Sequence, residues 1–171
     1  MPSAVLTPHP DTPCAALTGI KVDIEQSVGA VLTVTFTLEG DIGVLRIPPP
    51  RPPRIVDGLW RHTCCEIFMA HAAGYREYNL SPSGEWAAYD FRAYREGTPA
   101  QTSAPGIRIR RSGRALQLSA QVEAPGNRLG IAAVIEGADG SLSYWALRHA
   151  PGKPDFHHPS AFALELDAIR H

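Results

Sequence analysis

The sequence predicts an all-β fold, an antiparallel two-sheet β-sandwich of about ten strands, and three observations carry that expectation. Sixteen Pro and fifteen Gly are spread along the 171 residues and cut the chain into short pieces. No stretch sustains a helical period over about twelve residues. Between the breaks lie β-branched or alternating runs, with turn signals roughly every 8–12 residues.

In chain order, residues 20–26 alternate as a strand should, and 30–38 (AVLTVTFTL) form the strongest strand signal, rich in Val, Thr and Phe. Residues 43–47 read as a shorter strand, ended by the stiff run 48–54 (PPPRPPR). That run reads as a rigid connection, with a proline-recognition ligand as the alternative. Strands follow at 64–70 and 75–80, and Ser81–Pro82–Ser83–Gly84 supplies a turn back into 85–92. Residues 107–111 and 115–122 flank a short Ser112–Gly113 loop, and 128–136 and 142–149 flank Ala138–Asp139–Gly140. A last strand is expected at 162–166. No repeat or linker divides the chain, so one domain spanning 1–171 is expected.

Composition narrows the function classes. Sixteen Lys and Arg against seventeen Asp and Glu leave a formal charge of −1, which gives no general attraction for nucleic acid or an anionic membrane. Cys14, Cys64 and Cys65 are too few and badly spaced for a disulfide framework. Neighbouring strand side chains point to opposite faces, so Cys64 and Cys65 read as small buried apolar residues rather than a metal clip. The opening stretch MPSAVLTPHPDTPC lacks the basic and apolar regions of a secretory leader, and no run is long enough to span a bilayer. Cytoplasmic residence is the expectation, or secretion if a leader has been removed.

The hairpin around SPSG points toward a site. A four-residue loop places Leu80 opposite Glu85, Asn79 opposite Trp86 and Glu77 opposite Ala88. Alternation then puts Tyr78, Leu80, Ala87, Tyr89 and Phe91 on one face, and Tyr75, Glu77, Asn79, Trp86, Asp90 and Arg92 on the other. The second face sets aromatic rings among carboxylates, an amide and a guanidinium. That combination suits a sugar, whose C–H face lies on an indole while polar groups take its hydroxyls. An ordinary solvated sheet face with paired charges is the competing interpretation. Trp60, six residues before Glu66, is either a core plug or a ligand plate.

The stretch Trp60-Arg-His-Thr-Cys-Cys-Glu66, followed by the string Tyr-Asn-x-Ser-Pro-x-Gly-x-Trp from Tyr78 to Trp86, resembles the DOMON-like superfamily. More narrowly it is similar to the branch grouped with family 9 carbohydrate-binding modules. Residues 144–147 and 154–157 look like that group's closing strand and loop, so the resemblance runs from about Trp60 to His157. It implies an antiparallel β-sandwich that binds sugar or haem and does no chemistry itself. By position it nominates Trp60, Glu66 and Asn79 for sugar binding, with Trp145 as a candidate second plate and Arg92 as a candidate guanidinium. Glu77 and Trp86 join them from the polar face. The family's structural calcium finds no convincing acidic loop here.

Other readings stay open. A structural or protein-interaction domain would use the same polar face to meet a partner. A haem site would pair Met69 with His62, His71 or His149, and a metal site would draw on His149, Asp155, His157 and His158. A glycosidase would use two carboxylates, Glu66 with Glu77 or Glu77 with Asp90. Arg108, Arg110, Arg111 and Arg114 form a solvated face or a patch for anions.

Overall fold

The computed structural model describes residues 2–166, and among them twelve strands join edge to edge in one antiparallel path. The strands are β1 (Ser3–Pro8), β2 (Leu17–Ser27), β3 (Val31–Gly40), β4 (Cys64–His71), β5 (Gly74–Leu80) and β6 (Trp86–Ala93). They continue with β7 (Glu96–Pro99), β8 (Arg108–Ser112), β9 (Ala115–Glu123), β10 (Arg128–Glu136), β11 (Leu142–Ala146) and β12 (Leu164–Glu165). Their spatial order is β7-β6-β5-β4-β10-β11-β1-β2-β3-β9-β8, with β12 added to β10.

The all-β, antiparallel expectation holds. In place of two separate sheets, however, the path is continuous and curls into a half-barrel. The seam is β1, whose first residues pair with β2 (Leu6 opposite Ile20) and whose last residues pair with β11 (Thr7 opposite Ala146). One strand thus hands the sheet from one half to the other.

Curling brings the inner faces of the two halves together. Ile20, Val22, Ile24, Val34, Phe36 and Leu118 from one half meet Ile67, Met69, Tyr78, Leu80, Ile131 and Trp145 from the other in a single buried core. The alternation of β3 is the cleanest expression of this, with Leu32, Val34, Phe36 and Leu38 buried and the threonines between them half-exposed. Cys65 faces this core, while Cys64 is buried on the opposite face beside Glu66.

Three local expectations are corrected. Residues 42–44 form a 3-10 turn, and only Leu45 makes a bridge, to Gly137. The two residues between the paired ends of β8 and β9 are Gly113 and Arg114, because Ser112 already pairs with Ala115. Most consequential is the β5–β6 register. Ser81 N–H donates to the Glu85 carbonyl (3.0 Å), so the connection between Leu80 and Trp86 is odd-numbered, and these two residues pair directly. A one-residue change in register turns every side chain of a strand to the other face. Trp86 and Ala88 therefore enter the core, and Asp90 pairs with Arg76 (2.7 and 3.1 Å) away from Glu77.

The loop that sets this register is internally bonded. Ser83 Oγ donates to Glu85 Oε1 (2.9 Å), and Arg54 Nε donates to Glu85 Oε2 (2.7 Å). The proline-rich segment lies along it: Arg51 N–H reaches the Ser83 carbonyl (2.9 Å), and Trp86 N–H reaches the Arg54 carbonyl (3.1 Å).

Phe36 is fully buried where the two halves meet. Phe36→Ala is expected to cost about 3–5 kcal/mol in denaturant unfolding. A loss below about 1 kcal/mol would contradict this placement of the core.

Candidate functional site

The outer face of the half-sheet built from β4, β5, β6, β10 and β11 is also covered. Phe68, Tyr75, Phe91, Ala132 and Ala146 form a second buried cluster there, closed by Ala161 and Phe162 from the chain after β11. Beside this cluster opens a cavity of about 590 Å³. Its floor carries Glu66 from β4, Glu77 from β5 and Val134 from β10. Its walls are Tyr89 and Phe91 from β6, Tyr144 from β11, and Pro154, Phe156 and His157 from the following loop.

Trp60 stands at the edge of this cavity, 40% exposed. It sits in a short 3-10 turn, Leu59–Arg61, entered through Gly58 at φ 83°, a left-handed conformation that glycine adopts without strain. Its ring meets Tyr89 edge-on with centroids 6.3 Å apart, and the Tyr89 hydroxyl donates to Asp57 at the start of the same turn. Burial and that bond to Asp57 push the Tyr89 phenol well above its usual value, so it stays a neutral donor. Phe91 lies flat on Tyr75 (4.6 Å, 6°) and across Gly97, where a Cβ would come within 2.6 Å of the ring. A glycine at that edge is what lets the ring lie down.

The polar groups divide into satisfied and unsatisfied sets. His157 Nδ1 lies 2.8 Å from the Tyr75 hydroxyl, and its Nε2 lies 3.3 Å from Glu77 Oε1. Arg95 N–H donates to the same Tyr75 hydroxyl (3.0 Å), and the Arg95 guanidinium bonds Asp155 (3.1 Å), which in turn accepts from His157 N–H (3.1 Å). This web ties the 154–157 loop to the β6–β7 turn. Glu66 is different. It is 3% exposed, and its Oε2 has no hydrogen-bond partner; nor does either side-chain polar atom of Asn79, directly opposite on β5. Burial, reinforced by the charge of nearby Glu77, pushes the Glu66 carboxyl well above the ordinary 4.5.

The nominated residues therefore go to several places. Trp60, Glu66 and Glu77 line the cavity, and Asn79 lies buried beneath it against Glu66. Trp145 does not reach it: it is 3% exposed in the main core, with Nε1 donating to Ser143 Oγ (3.0 Å). Trp86 is in the same core. Arg92 is exposed in the register break between Phe91 and Ala93 and does not line the cavity. Of the cavity residues, the register expected from sequence assigns Tyr89 and Phe91 to the core face, and His157 is considered there only as a metal ligand because its loop carries no periodicity.

Residues considered for metal or haem are dispersed. Met69 is buried in the main core, and His62 turns to Glu136 (3.1 Å). His149 bonds the Thr7 carbonyl, and His158 bonds Ser160. Among the described residues no group of three or more His, Cys, Asp or Glu is placed to hold a metal ion, and no helix is long and apolar enough to cross a membrane.

Neither models of known protein families nor the sequences of curated proteins match this chain. Among solved structures, it is similar to one described as a putative carbohydrate-binding protein from Bacteroides uniformis ATCC 8492, with a TM-score of 0.62. The alignment covers 94% of this chain and 84% of that one at 12% sequence identity. The likeness is one of fold.

Because the folded state raises the Glu66 carboxyl, the native protein holds a proton there that the unfolded chain releases above about 4.5. That contribution to stability is complete below the unfolded value and is lost as pH rises through the folded one. Glu66→Gln is expected to flatten the fall in Tm of the parent protein above about pH 4.5. Parallel Tm-against-pH curves for the two proteins would show that Glu66 titrates normally.

Proposed function

We propose that this chain is a non-catalytic carbohydrate-binding domain, holding a sugar in the cavity beside Trp60. The observation that carries the reading is the pairing of an exposed indole with a buried, unpartnered carboxyl and amide. Each unpartnered buried polar group costs about 1–3 kcal/mol, which a ligand hydroxyl reaching it would return. A flat apolar ring beside convergent polar groups is the arrangement a pyranose needs. In this reading Trp60 and Tyr89 flank the ring's C–H surface, Glu66 and Glu77 take its polar groups, and Asn79 backs Glu66 from beneath.

The DOMON-like, family 9-like assignment belongs to the same proposal. Its support is the location of the resembling segments, since the Trp60–Glu66 stretch borders the cavity and the SPSG loop sets the register that shapes it. On this view the two halves of the curled sheet act as the two layers of such a sandwich, sharing one core. The description of the Bacteroides protein as a putative carbohydrate-binding protein agrees with it.

The test is a thermal-shift and Trp-fluorescence screen against mono- and disaccharides. A ligand at about a hundred times its Kd stabilises by about 2.7 kcal/mol. A hit weakened at least tenfold by Trp60→Ala is the expected result. Silence across the panel would leave a protein-interaction domain as the reading.

A second reading, glycoside hydrolysis, draws on the unequal environments of Glu66 and Glu77, one without a partner and the other facing His157. Turnover of aryl glycosides that is abolished by Glu66→Gln would put hydrolysis in place of binding. Under the proposed function no product forms above the buffer rate.

A further inference from the structure

We propose that the cavity selects an acetamido sugar, with Glu66 donating a hydrogen bond to the amide carbonyl and Glu77 accepting one from the amide N–H. This rests on the carbohydrate reading above and names the class of sugar.

The two carboxyls are unequal because their neighbours are. The Tyr75 hydroxyl accepts the Arg95 N–H (3.0 Å), which leaves its own proton to be donated to His157 Nδ1 (2.8 Å). With Nδ1 accepting, the Nε2 proton is the one left to point at Glu77 Oε1, 3.3 Å away. Glu77 Oε1 therefore faces a donor and is placed as the acceptor of the pair. Glu66 Oε2 has no hydrogen-bond partner, although Asn79 on β5 and Ala132 on β10 lie directly opposite. Burial without a donor favours the protonated form of a carboxyl and pushes Glu66 in that direction. The cavity thus offers the Glu66 carboxyl as donor and Glu77 Oε1 as acceptor.

Register sets their spacing. Glu66 pairs with Asn79 and Phe68 pairs with Glu77, so the two glutamates are diagonal neighbours across β4 and β5. Diagonal positions lie about 7–8 Å apart at their backbones, and both side chains reach the cavity from there. A trans amide directs its C=O and N–H to opposite edges, so it presents an acceptor to one glutamate and a donor to the other. A single hydroxyl, which both accepts and donates through one oxygen, spans a shorter gap than an amide with its acceptor and donor on separate atoms.

The remaining wall suits the acyl methyl. Phe91, Val134 and Phe156 line the cavity with apolar surface that ring hydroxyls alone would leave unused. A methyl placed there leaves water for an apolar surface, which favours binding. Trp60 remains free to take the pyranose face.

The experiment compares N-acetylglucosamine and N-acetylgalactosamine with glucose, galactose and glucosamine by calorimetric titration. The acetamido sugars are expected to bind at least tenfold more tightly than their parents. Glu66→Ala should bring the two sets to parity, and Glu66→Gln, which restores a donor, should recover the preference. If Glu66→Ala does not fold, the parent protein's ranking and the Gln variant decide the matter. Equal affinity for glucose and N-acetylglucosamine would overturn the acetamido assignment and leave the carbohydrate reading standing. No binding of any sugar would remove both. A preference that persists in Glu66→Ala would overturn the role given to Glu66.

Discussion

Pairing of Leu80 with Trp86 governs more of this molecule than any other contact between two residues. Because the Ser81–Glu85 connection is held odd-numbered by Ser83, Glu85 and Arg54, all of β6 is committed to one orientation. In that orientation Trp86 and Ala88 complete the core, while Tyr89 and Phe91 turn to the other side. The alternative register would place Ala88, rather than the Tyr89 phenol, opposite Glu77, and would leave Trp60 without its edge-on partner. The charged and apolar walls of the cavity thus depend on a few hydrogen bonds made at the far end of the hairpin.

Both faces of β4, β5, β6, β10 and β11 are buried, which is unusual for antiparallel strands that commonly leave one face to water. β10 shows it most directly, with every residue from Leu129 to Glu136 buried. The inner face is covered by the curl through β1, the outer face by the chain that follows β11. Covering the outer face incompletely is what makes a cavity. The web from Tyr94 and Arg95 to Asp155 fixes how far the 154–157 loop closes over the glutamates.

Where alternation is strong, the sequence is transparent. β3 and β9 carry β-branched and aliphatic residues at every second position, and their extents agree with the reading to within a residue or two. β1 carries little periodicity in the five residues between Pro2 and Pro8, and its importance lies in pairing on both sides. β7 is Glu-Gly-Thr-Pro, exposed throughout, with Thr98 the one residue that favours a strand; it exists because β6 offers it an edge. Site residues divided the same way. Trp60, Glu66 and Glu77 were accessible from pattern and resemblance, whereas the fates of Trp86 and Trp145 followed from burial, which composition does not reveal. The loop-borne His157 could be found only once the chain after β11 was placed.

A half-barrel differs from a closed one in having two free margins, here β7 and β8. Unpaired backbone at such margins invites another chain to add on. β7 limits this by its brevity and by ending at Pro99. β8 is longer, and its deterrent is electrostatic: Arg108, Arg110 and Arg111 make two copies of this margin repel one another. Repulsion of that kind fades as the Debye length shrinks to about 3 Å in molar salt. Colloidal behaviour should therefore depend on ionic strength through one strand, on the half of the molecule opposite the cavity.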